Sequence, residues 1–204
     1  MDFLPTITVV VPCIFALVLL LFCKKDEFAM KGFALAGSGI SFLASAFMLP
    51  ALAGGETLGT GKSFMSFPLA ISFQADGISI FFAVIFSFSF VIAFIYSFGY
   101  LAHGHGKLRY YTLLLGLQGS MLGVVMASSL FGLFVFFEVM AILSYVLVIH
   151  EEDEKAMYAG SKYLFMTIAA VLAIFFGLVI TYFMAGRLDY VAGGYVQESP
   201  LMGL

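Results

Sequence analysis

Charged residues are scarce in this 204-residue sequence, at 10% against about 25% in an average soluble domain. Hydrophobic residues reach 63%, whereas soluble domains have about 45–50%. The core of a soluble domain of this size cannot bury so large an excess of apolar side chains. The few Lys and Arg residues form no basic patch of the kind that binds nucleic acid. The scarcity of charge therefore excludes a soluble domain of any size and a nucleic-acid partner.

Cysteine is scarce as well, with only Cys13 and Cys23, both in the first apolar segment. Ten residues along one helix separate the two by about 15 Å, which is too far for a disulfide. Their spacing matches no zinc or iron–sulfur pattern. We therefore expect two small buried hydrophobic side chains, with no metal site and no cofactor in this chain.

The N-terminus lacks the positive charge that precedes the apolar part of a secretory signal. Lys24 and Lys25 follow the first apolar run instead. This order is the reverse of that in a cleavable signal peptide, so the first apolar segment is predicted to be a retained helix.

Apolar runs dominate the rest of the sequence, and each reaches the roughly 20 residues that a membrane-spanning helix needs. The pattern predicts an all-α, polytopic transmembrane helix bundle of about six helices, forming a single transmembrane domain over residues 1–204. The predicted helices cover 3–23, 29–52, 76–100, 108–127, 130–149 and 156–184. Only Ser128 and Ser129 separate the fourth run from the fifth, which predicts a very tight turn.

The one long loop, 53–75, alternates apolar and other residues from Phe67 to Gln74. A period of two indicates a short strand or hairpin on the outer surface.

The Lys and Arg residues concentrate in three short loops, 24–31, 101–109 and 150–157. The opposite side of the bundle carries only Lys62 and Arg187. By the positive-inside rule the three basic loops lie in the cytoplasm. We therefore predict a multi-pass protein integral to the cell (inner) membrane, with both termini outside.

Small residues recur every three or four positions in three of the predicted helices. Such stripes let helix backbones approach closely in a membrane, so all three are predicted to be packing seams. They are Gly37, Ser41 and Ser45 in the second helix; Gly116, Gly119, Gly123 and Ala127 in the fourth; and Ala169, Ala173 and Gly177 in the sixth.

Glu138 lies near the middle of the fifth apolar run. A carboxylate at that depth costs about 2.5–3.5 kcal/mol on insertion scales, and such residues face a partner or water and are usually functional. The structural alternative is a packing glutamate that is protonated or hydrogen-bonded. We predict that Glu138 takes part in ion translocation.

Lys162 is the second ionisable residue inside an apolar run. If the sixth helix begins near Glu154, Lys162 lies about 12 Å from its start, and Glu138 lies about 17 Å from the same end of the neighbouring antiparallel helix. Their charged tips are expected to meet, directly or through one water, as a switchable proton site in which the lysine stabilises the ionised glutamate. In the alternative interpretation Lys162 extends to the membrane surface.

Other polar residues give weaker signals. Asp76 at the start of the third helix is predicted to be a helix cap. His150 and Gln118 are candidates for a proton path toward the intramembrane glutamate, or else an interfacial residue and a helix–helix hydrogen bond. His103 and His105 are too few for a closed zinc site and fit a flexible polar loop.

Four segments carry a resemblance to a known family. They resemble the antiporter-like membrane subunits of respiratory complex I, of multisubunit cation/proton antiporters and of energy-converting membrane-bound hydrogenases. The segments are 75–79 (ADGIS), 96–100 (YSFGY), 136–145 (FFEVMAILSY) and 159–164 (AGSKYL), and the resemblance spans about residues 65–185.

The resemblance implies an essential glutamate at Glu138 and a helix-borne lysine at Lys162. It also implies a proton- or sodium-translocating subunit that works with other membrane subunits of a hetero-oligomeric complex in the lipid bilayer. Family members have about fourteen helices with inverted repeats, so the expected protein is a shortened or split subunit. Any redox chemistry would belong to partner subunits, because the sequence shows no quinone, flavin or iron–sulfur site and no catalytic centre.

Two other functions stay open at this point. One is a non-conducting structural spacer in the same kind of membrane arm. The other is an unrelated small membrane transporter, which would form a homo-oligomer rather than a complex with other subunits.

Overall fold

The computed structural model describes residues 2–22, 26–55, 57–59, 71–102 and 104–190. These residues form seven helices and two short strands. The elements are α1 (Leu4–Phe22), α2 (Glu27–Ala46), α3 (Leu49–Gly54), β1 (Leu58–Gly59), β2 (Gln74–Ala75), α4 (Gly77–Tyr100), α5 (Lys107–Met126), α6 (Leu130–Val148) and α7 (Glu154–Ala185).

The predicted all-α transmembrane bundle is confirmed. Five helices, α1, α2, α4, α6 and α7, are long and apolar enough to cross a membrane. The predicted fourth span is α5, which is 20 residues long but less apolar. It contacts α1, α2, α4 and α6, so the other helices shield it and it needs less hydrophobicity of its own. The predicted second run ends in a separate short helix, α3.

Lys31, Lys107, Arg109 and Lys155 lie at one end of the bundle, which we call the basic end. The other lysines used to predict the orientation, Lys24, Lys25 and Lys62, lie outside the described residues. Within the basic end, Glu27 accepts from both Lys31 and Lys107, at 2.8 and 3.0 Å. These contacts tie the start of α5 to the start of α2.

Pro12 lies inside α1, where it cannot donate a backbone hydrogen bond to the carbonyl of Thr8. Ser41 on α2 replaces the missing donor, because its hydroxyl donates to the Thr8 carbonyl oxygen at 3.0 Å. An unsatisfied carbonyl in hydrocarbon costs several kcal/mol, so this contact permits a proline in a spanning helix.

Two of the three predicted packing seams are present. On α2, Gly37 lies against the ring of Phe15, and the Ser45 hydroxyl lies 2.8 Å from that of Ser87 on α4. On α5, a Cβ at Gly119 would overlap the sulfur of Cys13, and one at Gly123 would overlap the ring of Phe136.

The third stripe, on α7, forms no seam within the described residues. Ala169, Ala173 and Gly177 are all exposed, and a Cβ on Gly177 would meet nothing within 4 Å. No described helix of this chain covers the stripe, because α7 packs mainly against α6 and the stripe lies on its other side, so a seam here stays a prediction.

A small strand cluster closes the end of the bundle opposite the basic end. β1 and β2 pair antiparallel, with Leu58 opposite Ala75 and Gly59 opposite Gln74, as the hairpin prediction requires. Residues 60–70 of that loop lie outside the described residues. The short connection between α5 and α6 has extended backbone at Ala127 and Ser129. It forms two isolated antiparallel β-bridges, Phe73 with Ala127 and Ser129 with Asp189.

Three helices begin at polar caps close to where the sequence placed them. Asp76 accepts a hydrogen bond from the backbone N–H of Ser79 at 2.8 Å, which confirms it as a helix cap. Ser129 caps α6 and Asp153 caps α7 in the same way. These caps fix where α6 and α7 start and so set the position of Glu138.

Candidate functional site

Glu138 is the ninth of the 19 residues of α6. A rise of 1.5 Å per residue places it about 12 Å from the start of the helix and about 15 Å from its end. Its side chain is half-buried. The carboxyl group therefore lies at mid-depth in a helix whose other residues near this level are apolar.

A cavity of about 370 Å³ lies between α6 and α7 and includes Glu138 in its lining. Successive turns of α6 contribute Ala141, Ile142 and Tyr145, and α7 contributes a matching face. Apart from the Glu138 carboxyl, the polar groups are hydroxyls. The α7 lining residues are Tyr163, Leu164, Thr167, Ile168, Val171 and Leu172.

Among the residues that the structure describes, no side chain pairs with or hydrogen-bonds to the Glu138 carboxyl group. A charged carboxylate at this depth without a partner costs about 2.5–3.5 kcal/mol on insertion scales. A charge on this group therefore needs water or a cation that reaches it through the cavity.

Lys162 does not meet Glu138. The face of α7 that packs on α6 is marked by Gly160, where a Cβ would overlap Ile149. Lys162 comes two residues after Gly160, which corresponds to a rotation of about 200° around the helix axis. Its side chain therefore lies on the face of α7 that points away from α6. It is exposed, and its ammonium lies 4.3 Å from the ring centroid of Tyr158.

The two residues also lie at different levels. The rings of Phe134 and Phe175 lie 5.7 Å apart, which together with the Gly160–Ile149 contact fixes the antiparallel register. Glu138 is then level with about residue 170 of α7, and Lys162 lies about 12 Å nearer the basic end. The contact predicted from the sequence is wrong because it ignored both the helix face and the register.

Gln118 is fully buried in α5, but it faces away from Glu138. Its amide nitrogen lies 3.5 Å from the backbone oxygen of Ser38 on α2. The α6-facing residues of α5 include Gly116 and Gly123, which contact Leu143 and Phe136. Gln118 is therefore a link between α2 and α5 and is not part of the α6–α7 cavity.

His150 follows α6 at the basic end and is only 4% exposed. Its ring stacks on that of His105, with centroids 5.7 Å apart and planes 5° apart, and the ring of Tyr110 meets it edge-on at 5.3 Å. Arg109 donates to the His150 carbonyl oxygen at 2.8 Å and forms an ion pair with Glu152. His103 lies outside the described residues.

Two pKa values in this cluster depart from their usual range. Burial, followed by the positive charge of Arg109, lowers the pKa of His150, while the backbone of His105 acts in the opposite direction. The hydrogen bond from Arg109 lowers the pKa of the Glu152 carboxyl. His150 is therefore held neutral and Glu152 ionised near neutral pH.

Arg109 and Glu152 were not identified as site residues from the sequence. Both looked like ordinary loop charges, because nothing in a single sequence shows that the turns before α5 and before α7 are adjacent. Tyr163 and Thr167 were missed as well, although their spacing of four places them on the same helix face as the cavity.

Comparison with known proteins gives a family match in the same region. Residues 127–194 match the model of the NADH:quinone oxidoreductase/Mrp antiporter transmembrane family, and this segment contains α6 and α7. The chain is 29% identical over 204 residues to a probable K(+)/H(+) antiporter protein of Rhizobium meliloti, covering 97% of this chain and 20% of that protein. It is 29% identical over 126 residues to the NAD(P)H-quinone oxidoreductase chain 5 of Synechocystis, covering 61% of this chain and 18% of that protein.

Two solved structures share the fold. One is in the archaeal membrane-bound sulfane sulfur reductase, with a TM-score of 0.81 and 19% identity over 91% of this chain and 38% of that chain. The other is in the Mrp complex of Dietzia, with a TM-score of 0.76 and 20% identity over 93% of this chain and 36% of that chain.

The chain thus spans about a fifth of the length of the two curated relatives described above. Its apolar helices and these relatives make it an integral membrane protein. The resemblance seen in the sequence is confirmed: this chain is similar to antiporter-like membrane subunits, and its α6–α7 region matches the NADH:quinone oxidoreductase/Mrp antiporter family.

Proposed function

We propose that this chain is an antiporter-like subunit that moves protons or sodium ions across the inner membrane within a larger membrane complex. The single observation that carries the proposal is Glu138, a carboxyl group without a described partner in a cavity at mid-depth of the bundle. The family match over the same two helices supports it.

In the proposed mechanism Glu138 alternates between a neutral and an ionised state. The cavity wall offers the ionised carboxyl group no counter-charge among the described residues, so the ionised state needs water or a cation beside it. Water or a cation that enters the cavity stabilises the carboxylate and releases the proton. The hydroxyls of Tyr145, Tyr163 and Thr167 line the same cavity and can hydrogen-bond to the entering water.

The basic end is proposed to face the cytoplasm, with both termini on the other side. Four described basic residues lie at the basic end, whereas Arg187 lies at the opposite end, in agreement with the positive-inside rule. Protons then reach Glu138 from the cytoplasm past His150, which lies at the same end of α6. Lys162 takes part near this entrance instead of pairing with Glu138, and Gln118 serves as a separate buried polar contact.

Other membrane subunits are proposed to complete the ion path and cover α7. The relatives named above belong to an antiporter and to a quinone oxidoreductase, and the two solved structures are membrane complexes. The exposed Ala169–Ala173–Gly177 stripe is consistent with a further helix packing against α7.

The test is transport by the native complex in sealed vesicles, comparing the wild type with Glu138→Gln. This substitution keeps the shape of the side chain and removes the titratable group. Glu154→Gln is the matched control, because Glu154 is an exposed carboxylate at the start of α7. We expect Glu138→Gln to abolish transport and Glu154→Gln to leave it unchanged, with both complexes assembled normally. Full transport by Glu138→Gln would reject the proposal and favour a structural spacer.

A further inference from the structure

We propose that Arg109, His150 and Glu152 form a proton-sensitive latch at the basic end, which holds α7 against α6 and opens when His150 is protonated. The opening would admit water to the cavity around Glu138. The inference rests on the proposed function for its consequence, since it regulates access to that site, but the latch itself is defined by contacts independent of transport.

The first argument is the way in which α7 is held. Its long apolar span packs mainly on α6, and Gly160 is the one residue of α7 that is buried among the described residues. The α6–α7 turn therefore decides where α7 starts. Arg109 reaches this turn from α5, donating from Nη2 to the His150 carbonyl oxygen at 2.8 Å and from Nη1 to the Glu152 carboxylate. These contacts and the ring contacts of His150 with His105 and Tyr110 fix the turn to the start of α5.

The second argument is the protonation state that the geometry requires. Nη2 of Arg109 lies 3.5 Å from Nδ1 of His150. A guanidinium can only donate, so Nδ1 must be the unprotonated acceptor nitrogen of a neutral ring. A proton on Nδ1 would remove this contact and place two positive groups at that separation. The same proton that charges the ring therefore weakens the hold of Arg109 on the turn.

The third argument is that the ring has little room to move away. His105 and Tyr110 cover it, and a Cβ at Gly106 would lie 3.2 Å from its Cε1 atom. Its other nitrogen, Nε2, is buried without a hydrogen-bond partner among the described residues. A charged His150 thus cannot turn toward solvent in place, and the turn must shift instead.

The backbone conformation of Glu152 in the closed turn depends on its ion pair with Arg109. Its φ of 59° is in the left-handed region, which non-glycine residues rarely adopt and which costs on the order of 1–3 kcal/mol. The ion pair with Arg109 offsets this strain, and its loss allows Glu152 to relax.

The titratable and charged groups around His150 are Arg109 and Tyr110 on α5, His105 in the preceding loop, and Glu151 and Glu152 in the turn. The two carboxylates favour the charged ring, but Arg109 is in direct contact with it.

The test is a distance measurement in the assembled complex in lipid nanodiscs. Spin labels are attached at Ala102→Cys, beside the loop before α5, and Lys155→Cys, at the start of α7, after both native cysteines are replaced by alanine. Both labelled positions are exposed. We expect one narrow distance distribution at pH 8 and an additional longer distance at pH 5.

Three variants make the test specific. His150→Gln cannot be protonated and is expected to lose the response to pH, with His150→Asn as a second variant if the first does not assemble. Arg109→Gln is expected to show the longer distance at both pH values. Glu154→Gln, at an exposed carboxylate in the first turn of α7 and outside the latch, is expected to respond like the wild type.

Identical distributions at pH 8 and pH 5 in the wild type would overturn the latch, as would an undiminished response in His150→Gln. Neither result bears on the proposed function, which depends on transport by Glu138→Gln. Conversely, full transport by Glu138→Gln would leave a measured opening of the turn intact.

Discussion

The hydroxyl of Ser41 on α2 donates to the backbone carbonyl of Thr8, four residues before Pro12 on α1. This carbonyl is the one that the proline leaves without its helical donor. A hydrogen bond from α2 thus replaces the backbone hydrogen bond that α1 lacks at Pro12.

The first prediction concerns the coupling between Ser41 and Pro12. Ser41→Ala alone should lower the free energy of unfolding by about 1–3 kcal/mol, the cost of a buried acceptor left unsatisfied. In a Pro12→Ala background the helix supplies its own donor, so the same substitution should cost much less. A double-mutant cycle based on unfolding in detergent measures this difference. Equal costs in both backgrounds would show that Ser41 acts independently of the proline.

The second prediction compares two glycines in helices. Gly123→Ala on α5 should destabilise the protein by about 1–3 kcal/mol, because its new methyl group overlaps the ring of Phe136. Gly177→Ala on α7 should be neutral or stabilising by about 0.5–1 kcal/mol in the isolated chain, since nothing lies near it and alanine favours helices. Thermal unfolding of the two purified variants tests both values. Loss of complex assembly in Gly177→Ala would show that a partner helix covers this position.

The third prediction concerns stability against pH. Because the pKa of His150 is lowered on folding, the unfolded chain binds more protons as the pH falls through its ordinary value of 6.5. Stability should therefore decrease as the pH drops below about 6.5. The pKa of Glu152 is also lowered, from 4.5, and it adds a second loss of stability at still lower pH. His150→Gln should remove the first decrease and keep the second in denaturant titrations at a series of pH values.

The fourth prediction separates Lys162 from Glu138. Lys162 lies on the face of α7 that points away from α6, and at a different level from Glu138, so Lys162→Gln should leave the pH optimum of transport where it is in the wild type. The rate should fall by less than in Glu138→Gln, because the substitution acts at the entrance. Transport against pH in vesicles provides the measurement. A shifted optimum would indicate that the two charges interact in the working complex.

The helices and their order were predictable because a spanning helix requires a continuous apolar run, and polar residues mark the end of each run even where only Ser128 and Ser129 separate two of them. The cap at Asp76, the turn at Ser128 and Ser129 and the seam at Gly119 followed from local patterns. The position of Lys162 did not, since its charge and approximate depth are visible in the sequence, whereas the rotation and register of α7 depend on which side chains of α6 it meets. The Arg109–Glu152 pair was hidden for a similar reason, because its members are 43 residues apart and meet only after the helices have packed.

The attachment of α7 at its two ends has a mechanical consequence. At one end it continues from the α6–α7 turn, and at the other the segment after it pairs with the α5–α6 turn, where Leu130 donates to Leu188 at 2.9 Å. Between these points, about 48 Å of helix lies mainly against α6. A helix held chiefly at its ends transmits a displacement of either end along its length. A shift of the α6–α7 turn therefore changes the width of the space beside Glu138, while the contact between Leu130 and Leu188 at the other end stays unbroken.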